Sequence, residues 1–232
     1  MYCKKNTKKC EDIEIFAYLY AYGKSPPCCR SHFYDLLIGV DKLFSECNIK
    51  YWLVGGSLLG AIRDNDIVKI DSDADIGMFV KDRDKLLGFI DKLCDLGFDF
   101  KYFRKHHFVL FVSKINRSHL DIFLYEEDSN DRYICKRFIN NEYFLNETSF
   151  RKQDIIKLNT ARIRDYYFSV PINPIPHLEK TYGKDWNVPL HFDNLNLEEP
   201  YYDKNSQHIP MHSDDKNIRK KWADILIKVR RD

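Results

Sequence analysis

An apolar strand that runs into two consecutive glycines is the feature that most limits how this chain can fold. Residues 51–54 are apolar and lead directly into Gly55, Gly56 and Ser57. A glycine turn after a strand lets a ligand approach the backbone closely, and it offers N–H groups to a phosphate. We therefore predict that these three residues bind phosphate, with a simple tight turn or a helix cap as the alternative.

Alternating aspartates precede a second apolar run over residues 76–80. Asp73 and Asp75 are two positions apart, so their side chains share one face of an extended backbone. Asp71 has the same parity and can add a further ligand. The pattern predicts that these acids reach one cation, and a solvated acidic turn is the alternative.

A further acid, Asp121, lies between Leu120 and Ile122 in a run typical of a buried strand. A carboxylate among apolar neighbours is costly unless its charge is compensated. Carboxylates that are brought together repel one another unless a divalent cation joins them. We therefore predict that Asp73, Asp75 and Asp121 hold Mg²⁺ or Mn²⁺, with Asp121 as a ligand before any role as general base. An outward-facing acid on an exposed strand is the alternative for Asp121.

A phosphate-binding turn beside a cation held by carboxylates indicates phosphoryl-type transfer. Arg63 ends the helix predicted over residues 57–63, about two turns beyond the glycines. It can neutralise a phosphate or pair with an acid, and the sequence favours neither role.

The apolar periodicity predicts an α+β fold, with a mixed sheet and helices packed on one side. Helices are predicted over 31–48 with Ser31 as N-cap, over 57–63, from Asp82 or Asp84 to Cys94 with Gly97 as the stop, and over 215–231. A further short helix is predicted after Pro174 and Pro176, ending at Tyr182. Strands are predicted over 51–54, 76–80, 98–103, 108–113, 119–125, 133–138 and 166–170, with a turn at 104–107.

Charge and hydropathy exclude two broad classes. The 37 basic and 35 acidic residues nearly balance, which argues against a nucleic-acid binder. The longest early apolar stretch, residues 13–22, is about half as long as a bilayer requires. We expect no transmembrane segment, signal peptide or anchor, and hence a cytoplasmic protein by default. The sequons at Asn116 and Asn146 are then sequons in form only.

Four of the seven cysteines crowd the first 29 residues: Cys3, Cys10, Cys28 and Cys29. Four thiolates from two short segments can close a tetrahedral zinc site, although this spacing departs from the common C-x2-C arrangement. Disulfides are the alternative, and the absence of a secretory signal weighs against them. The remaining cysteines are predicted to be buried thiols: Cys47, Cys94 and Cys135.

Several segments together resemble the LicD/fukutin family of the polymerase-β-type nucleotidyltransferase superfamily. They are the Gly-Gly-Ser turn, the Asp-x-Asp pair, the strand around Asp121 and the stretch from Val170 to Trp186, in the family's order. The resemblance implies a nucleotidyltransferase-type sheet with an N-terminal zinc-loop appendage on the four early cysteines. It divides the chain into a Cys-rich segment (1–30), a catalytic domain (31–190) and a C-terminal extension (191–232).

The resemblance also implies an activity. It is the transfer of an alditol phosphate or phosphocholine from a CDP-linked donor, such as CDP-ribitol or CDP-choline, to a hydroxyl of a glycan or glycoprotein, with release of CMP. One alternative is a nucleotidyltransferase that leaves a nucleotide on its acceptor. Another is a catalytically silent glycan-binding relative, against which the intact set of three acids argues.

Overall fold

The computed structural model of the protein describes residue 25 and residues 27–71, 73–91, 98–103, 108–113, 119–135 and 148–189. The helices are α1 (Pro27–Glu46), α2 (Gly55–Leu59), α3 (Arg83–Leu87), α4 (Lys152–Ile156) and α5 (Ile175–Tyr182). A π-helical turn (Gly60–Asp64) continues α2, and a 3-10 turn (Val80–Asp82) precedes α3. The strands are β1 (Tyr51–Leu53), β2 (Asp73–Phe79), β3 (Phe98–Phe103), β4 (Phe108–Ser113), β5 (His119–Glu127), β6 (Arg132–Cys135), β7 (Phe150–Arg151), β8 (Leu158–Ile163) and β9 (Tyr166–Pro171). Over these ranges, the chain has no helix with the length and apolar character to cross a bilayer.

Within the described residues, seven strands form one mixed sheet in the order β1-β2-β5-β4-β3, and β6 and β7 extend it from the end of β5. Strands β2 and β5 run parallel, whereas their other neighbours run antiparallel to them. A separate hairpin consists of β8 and β9. The predicted mixed sheet of an α+β fold is confirmed.

One face of the sheet carries aliphatic side chains and is covered by α1. The strand residues on this aliphatic face are buried and include Ile76, Met78, Ile122 and Leu124. The helix contributes Phe33, Leu37, Val40 and Phe44 to the same core. Leu58 and Leu59 of α2 also belong to it, so the helix that follows the glycine turn is anchored by hydrophobic burial.

The opposite face, termed the aspartate face, begins with Asp73 and Asp75 and ends in aromatic rings. Gly77 follows the two aspartates on β2, and a Cβ at this position would lie 2.9 Å from the rings of Trp52 and Tyr125. The absence of a side chain lets these rings pack over the sheet with centroids 5.4 Å apart. Phe79 and Phe150 complete the aromatic cluster, which occupies one end of the face and leaves the other end to the carboxylates.

Segments distant in sequence hold the loop that leads to Asp71. Arg164, in the β8–β9 turn, donates its backbone N–H to the Asn65 carbonyl at 2.7 Å and its Nε to Asp66 Oδ1 at 2.7 Å. Ser25 donates its N–H and its hydroxyl to the Lys69 carbonyl at 2.7 and 3.0 Å. The approach of the chain to β2 is therefore set by tertiary contacts on both sides.

Several predicted elements have different bounds. Helix α1 begins at Pro27 rather than near Ser31, and the Ser31 hydroxyl accepts a hydrogen bond from Arg164 Nη1 at 3.3 Å. The helix predicted to run to Cys94 is interrupted, because α3 ends at Leu87, a turn follows at Gly88 and the chain is helical again at Ile90 and Asp91.

One described stretch had no prediction, and several predictions fall on residues that the structure does not describe. The stretch that holds β7, α4 and β8 was not predicted, because its apolar residues follow neither a two-residue nor a 3.6-residue period. The turn at 104–107, Cys94, the two sequons and the helix at 215–231 lie outside the described residues.

Candidate functional site

Four side chains suited to cation binding lie on two neighbouring strands of the aspartate face. Strand β2 begins at Asp73, three residues before the predicted strand, so Asp73 and Asp75 belong to the strand itself. In the parallel register, Asp73 lies opposite His119 and Asp75 lies opposite Asp121. Neighbouring strands are about 4.8 Å apart, and alternate residues of one strand are about 6.6 Å apart. These four side chains therefore lie together in one small patch of the aspartate face.

The patch has the spacing that a divalent cation needs. Ligand atoms of Asp71, Asp73 and Asp75 lie within 4.8 Å of one another, and so do those of Asp73, His119 and Asp121. Two oxygens on opposite sides of one Mg²⁺ are about 4.2 Å apart, which small side-chain rotations can reach. Asp121 is 7% exposed and the other four side chains are half-buried. The three carboxylates of the first group suit a hard divalent cation. The two groups share Asp73, and the predicted set of Asp73, Asp75 and Asp121 is divided between them.

The predicted glycine turn lies directly against these carboxylates. Gly55 has a φ of +53°, and a Cβ on it would lie 2.6 Å from Asp75 Oδ2. A Cβ on Gly56 would overlap Asp71 Oδ2. Helix α2 starts at Gly55, and the first N–H groups of a helix have no acceptor within the helix. The turn thus brings backbone donors and two carboxylates together.

Ser57 has a structural contact that the sequence did not reveal. Its hydroxyl oxygen accepts the backbone N–H of Asp75 at 2.9 Å, and the residue is 2% exposed. The Val54 N–H donates to the Asp75 carbonyl at 3.3 Å. Both bonds fasten the turn to β2 beside the carboxylates. The Ser57 oxygen is therefore held by the strand, while its hydroxyl proton remains able to donate.

His119 is a site residue that sequence reasoning missed. Its Nε2 lies 3.2 Å from Asp73 Oδ2 and 3.8 Å from Asp121 Oδ1. A signal was present, because His119 and Asp121 have the same two-residue spacing as Asp73 and Asp75. It was overlooked because its proximity to Asp73 depends on the pairing of β5 with β2.

Tyr125 connects the carboxylates to the aromatic cluster. Burial raises the pKa of Tyr125 well above its usual value, and the nearby Cys135 and Asp75 act in the same direction. Its hydroxyl donates to the Thr148 carbonyl at 3.3 Å. Tyr125 is therefore a neutral, hydrogen-bonded wall of the site.

Arg63 pairs with an acid. Its Nε and Nη2 donate to the two carboxylate oxygens of Asp64 at 2.7 and 2.8 Å, and its Nη1 contacts the Trp186 carbonyl at 3.4 Å. Trp186 itself packs against the core, and Gly183 ends α5 with a φ of +88°. The Tyr182–Trp186 stretch thus joins the helical segment after the glycine turn to the C-terminal end of α5.

The cysteine predictions are tested only in part. Cys135 is buried and Cys47 is half-buried, and neither of these two is in a disulfide. Cys3 and Cys10 lie outside the described residues, and the backbone of Cys28 and Cys29 forms the first turn of α1. The zinc site stays a prediction.

Comparisons with known proteins place this geometry in a family. The family model described as "LicD/FKTN/FKRP, nucleotidyltransferase domain" matches residues 48–173. This range contains the glycine turn, the aspartates of β2 and the Asp121 strand. Among solved structures, the antibiotic-resistance factor ANT(2'')-Ia aligns with 45% of this chain and 52% of its own at 18% identity, with a TM-score of 0.35, too low to support an inference.

Three relatives are similar over different lengths. An uncharacterised protein of Rickettsia prowazekii is 28% identical over 83% of this chain and 65% of its own length. The human ribitol 5-phosphate transferase FKRP is 37% identical over 34% of this chain and 17% of its own length. Human ribitol-5-phosphate transferase FKTN is 24% identical over 67% of this chain and 33% of its own length. The chain thus spans less than two thirds of each relative, yet its matched domain extends over more than half of its residues. The resemblance drawn from its motifs is confirmed, and the chain belongs to the LicD/FKTN/FKRP family.

Proposed function

We propose that this protein transfers a phosphate-linked group, such as ribitol phosphate, from a CDP-linked donor to a hydroxyl of a glycan, with release of CMP. The observation that supports the proposal is the close approach of Gly55 to the Asp75 carboxylate and of Gly56 to the Asp71 carboxylate. This arrangement suits a diphosphate, which needs backbone donors for its oxygens and a cation for its charge. The relatives named as ribitol 5-phosphate transferases support the choice of transferred group.

Each part of the site has a role in this proposal. Asp73, Asp75 and Asp121 ligate Mg²⁺ or Mn²⁺, and Asp71 adds a fourth carboxylate. When bound, the cation neutralises the diphosphate and stabilises the charge that develops on the leaving CMP. The first-turn N–H groups of α2 hold a phosphate in place beside it.

The reaction is a substitution at phosphorus. The acceptor hydroxyl attacks the β-phosphorus in line with the leaving group, a new O–P bond forms, and the bond from the β-phosphorus to the CMP oxygen breaks. The proton of the acceptor hydroxyl is released to solvent. The phosphate next to the transferred group stays with the product. Tyr125 and the buried aromatic cluster behind it give the site a rigid wall.

CMP release tests the proposal. The protein is incubated with Mg²⁺, CDP-ribitol or CDP-choline, and a panel of glycan acceptors, and free CMP is measured by chromatography. We expect Asp73→Asn, Asp75→Asn and Asp121→Asn each to abolish release with little change in Tm, because each change removes a ligand and leaves the packing intact. Asp71→Asn should have a milder effect.

Asp84→Asn is the matched control. The Asp84 side chain lies on α3, is 78% exposed and forms an ion pair with the adjacent Arg83. Full metal-dependent release by the Asp121 variant would remove Asp121 from the site. Release of pyrophosphate from CTP, with a nucleotide left on the acceptor, would replace the proposal by nucleotidyl transfer. Glycan binding without turnover of any donor would indicate a silent relative.

We also propose that Cys3, Cys10, Cys28 and Cys29 bind one structural Zn²⁺, on a Cys-rich segment ahead of the catalytic domain. Their thiolate chemistry supports it, and the bonds of Ser25 to Lys69 place the start of α1 beside the loop that carries Asp71. Elemental analysis of protein purified without added metal should give one zinc per chain. A mass that shows two disulfides would exclude this site.

A further inference from the structure

The site contains two groups of possible cation ligands, and His119 belongs to one of them. Asp71, Asp73 and Asp75 form an all-oxygen group, whereas Asp73, His119 and Asp121 form a group with one imidazole nitrogen. Asp73 belongs to both. The His119 side chain is 18% exposed and its Nε2 faces Asp73 and Asp121 at 3.2 and 3.8 Å. Its ring therefore lies where a ligand of the second group must lie.

The two groups differ in the cations they suit. Mg²⁺ takes oxygen ligands almost exclusively, and carboxylates serve Mg²⁺ and Mn²⁺ alike, whereas imidazole is a ligand of transition metals. Replacing one oxygen by an imidazole nitrogen thus penalises Mg²⁺ more than Mn²⁺. The register of β2 with β5 places this nitrogen in only one of the two groups.

We propose that His119 is a direct nitrogen ligand of a divalent cation held with Asp73 and Asp121, and that it makes this position select Mn²⁺ over Mg²⁺. The proposal rests on the proposed function only in that a divalent cation binds the patch. It attributes the preference of this position for Mn²⁺ over Mg²⁺ to the side chain of His119 alone. The competing account is that His119 only orients Asp73 by a hydrogen bond, without contacting the ion.

Electron spin-echo spectroscopy with Mn²⁺ alone separates the two accounts. A nitrogen bound directly to Mn²⁺ modulates the echo with ¹⁴N frequencies, and we expect this modulation in the wild-type protein. It should be replaced by ¹⁵N features when the histidines are labelled with ¹⁵N, which needs no variant and so does not depend on how a variant folds. Mn²⁺ binding without any nitrogen modulation would overturn the proposal.

Variants then identify the histidine. His119→Gln should lose the nitrogen modulation, while His32→Gln should keep it, because His32 lies on α1, the helix that covers the aliphatic face of the sheet. In a calorimetric titration, His119→Gln should weaken Mn²⁺ binding on the order of 10- to 100-fold, a loss that even outer partners of a metal site produce. Its binding of Mg²⁺ should change less, because a glutamine offers an oxygen instead.

The outcomes separate this inference from the proposed function. If the wild-type protein binds neither Mn²⁺ nor Mg²⁺, the metal-dependent function fails and the inference fails with it. If both ions bind, and His119→Gln changes neither the nitrogen modulation nor the ratio of the two affinities, the inference alone is wrong. Circular dichroism of each variant confirms that the comparison is made between folded proteins.

Discussion

Gly55 and Gly56 lie against carboxylate oxygens at the site, so a side chain at either position has to displace a proposed ligand. The three atoms nearest to a Cβ on Gly56 all belong to the Asp71 carboxylate, so this carboxylate has to shift. We expect Gly56→Ala to weaken Mg²⁺ binding about 10-fold with little change in Tm, because Asp71 belongs to the all-oxygen group of ligands. Gly55→Ala should weaken cation binding and also lower Tm, because its φ of +53° adds about 1 kcal/mol of backbone strain for a residue with a Cβ.

Gly39→Ala is the matched control for these variants. Gly39 lies within α1, where an added Cβ would have no atom within 4 Å, so the variant should gain about 0.5–1 kcal/mol of stability and bind Mg²⁺ normally. Thermal melts and calorimetric titration measure both quantities. Unchanged Mg²⁺ affinity in Gly56→Ala would show that Asp71 is not a ligand.

Ser57 is expected to act on the fold of the site before it acts on a phosphate. Ser57→Ala removes the acceptor of the Asp75 N–H and should cost about 1–3 kcal/mol, since a buried donor is left without its bond. Ser45→Ala, at an exposed position of α1, should have a negligible effect. Urea titrations give the free energies of unfolding. An unchanged free energy together with weaker donor binding would assign the hydroxyl to the phosphate instead.

At the scale of elements, Arg63 joins the helical segment after the glycine turn to the chain beyond α5. Its two bonds to Asp64 need a planar fork that lysine lacks. We expect Arg63→Lys to lower the free energy of unfolding by about 1 kcal/mol and to leave CDP binding unchanged. Arg83→Lys is the control, because its partner Asp84 is 78% exposed. A 10-fold loss of CDP affinity at constant stability would return Arg63 to the phosphate site.

The elements also show where local patterns suffice. The strand before the glycines and α5 with its glycine end depend on neighbouring residues, and both were predicted. The length of α3 was not, because residues 83–94 have the apolar spacing of one long helix while the chain turns at Gly88. The start of α1 was placed too late because Ser31, a good N-cap type, bonds to Arg164 of a distant hairpin.

At the scale of the whole molecule, His177 couples stability to pH. It lies on α5, 7% exposed, with its ring stacked on Phe150 at 3.9 Å. Burial lowers the pKa of His177 to about 3, the charge of Lys180 acts in the same direction, and a backbone hydrogen bond with Ser149 opposes both. The unfolded chain takes up a proton below about pH 6.5, whereas the folded protein does so only near pH 3.

Stability from this residue is therefore present above pH 6.5 and is lost as the pH falls toward 3, by up to about 1.4 kcal/mol per pH unit. We expect the free energy of unfolding of the wild type to fall, relative to His177→Phe, between pH 6 and pH 4. The phenylalanine keeps the stack on Phe150 and cannot take up a proton. Urea titrations at pH 7, 5.5 and 4 measure the difference. Parallel pH profiles for the two proteins would show that His177 is protonated equally in both states.

The sequence by itself determined which residues of each strand share a face and where the chain must turn. Two-residue alternation put Asp73 and Asp75 on one side of β2, and the apolar neighbours of Asp121 marked it as a buried acid, because both properties depend on a few adjacent residues. Their ordered combination was also enough to identify the family.

Only the tertiary structure decided which strands lie side by side. The parallel register of β2 with β5 brings Asp121 to Asp75 and His119 to Asp73 across more than 40 residues. The bond from the Asp75 N–H to the Ser57 hydroxyl likewise joins two separate segments of the chain. Strand pairing follows from which distant apolar faces can be buried together. No local pattern contains that information, so the donor set around Asp73 could be completed only when the sheet was formed.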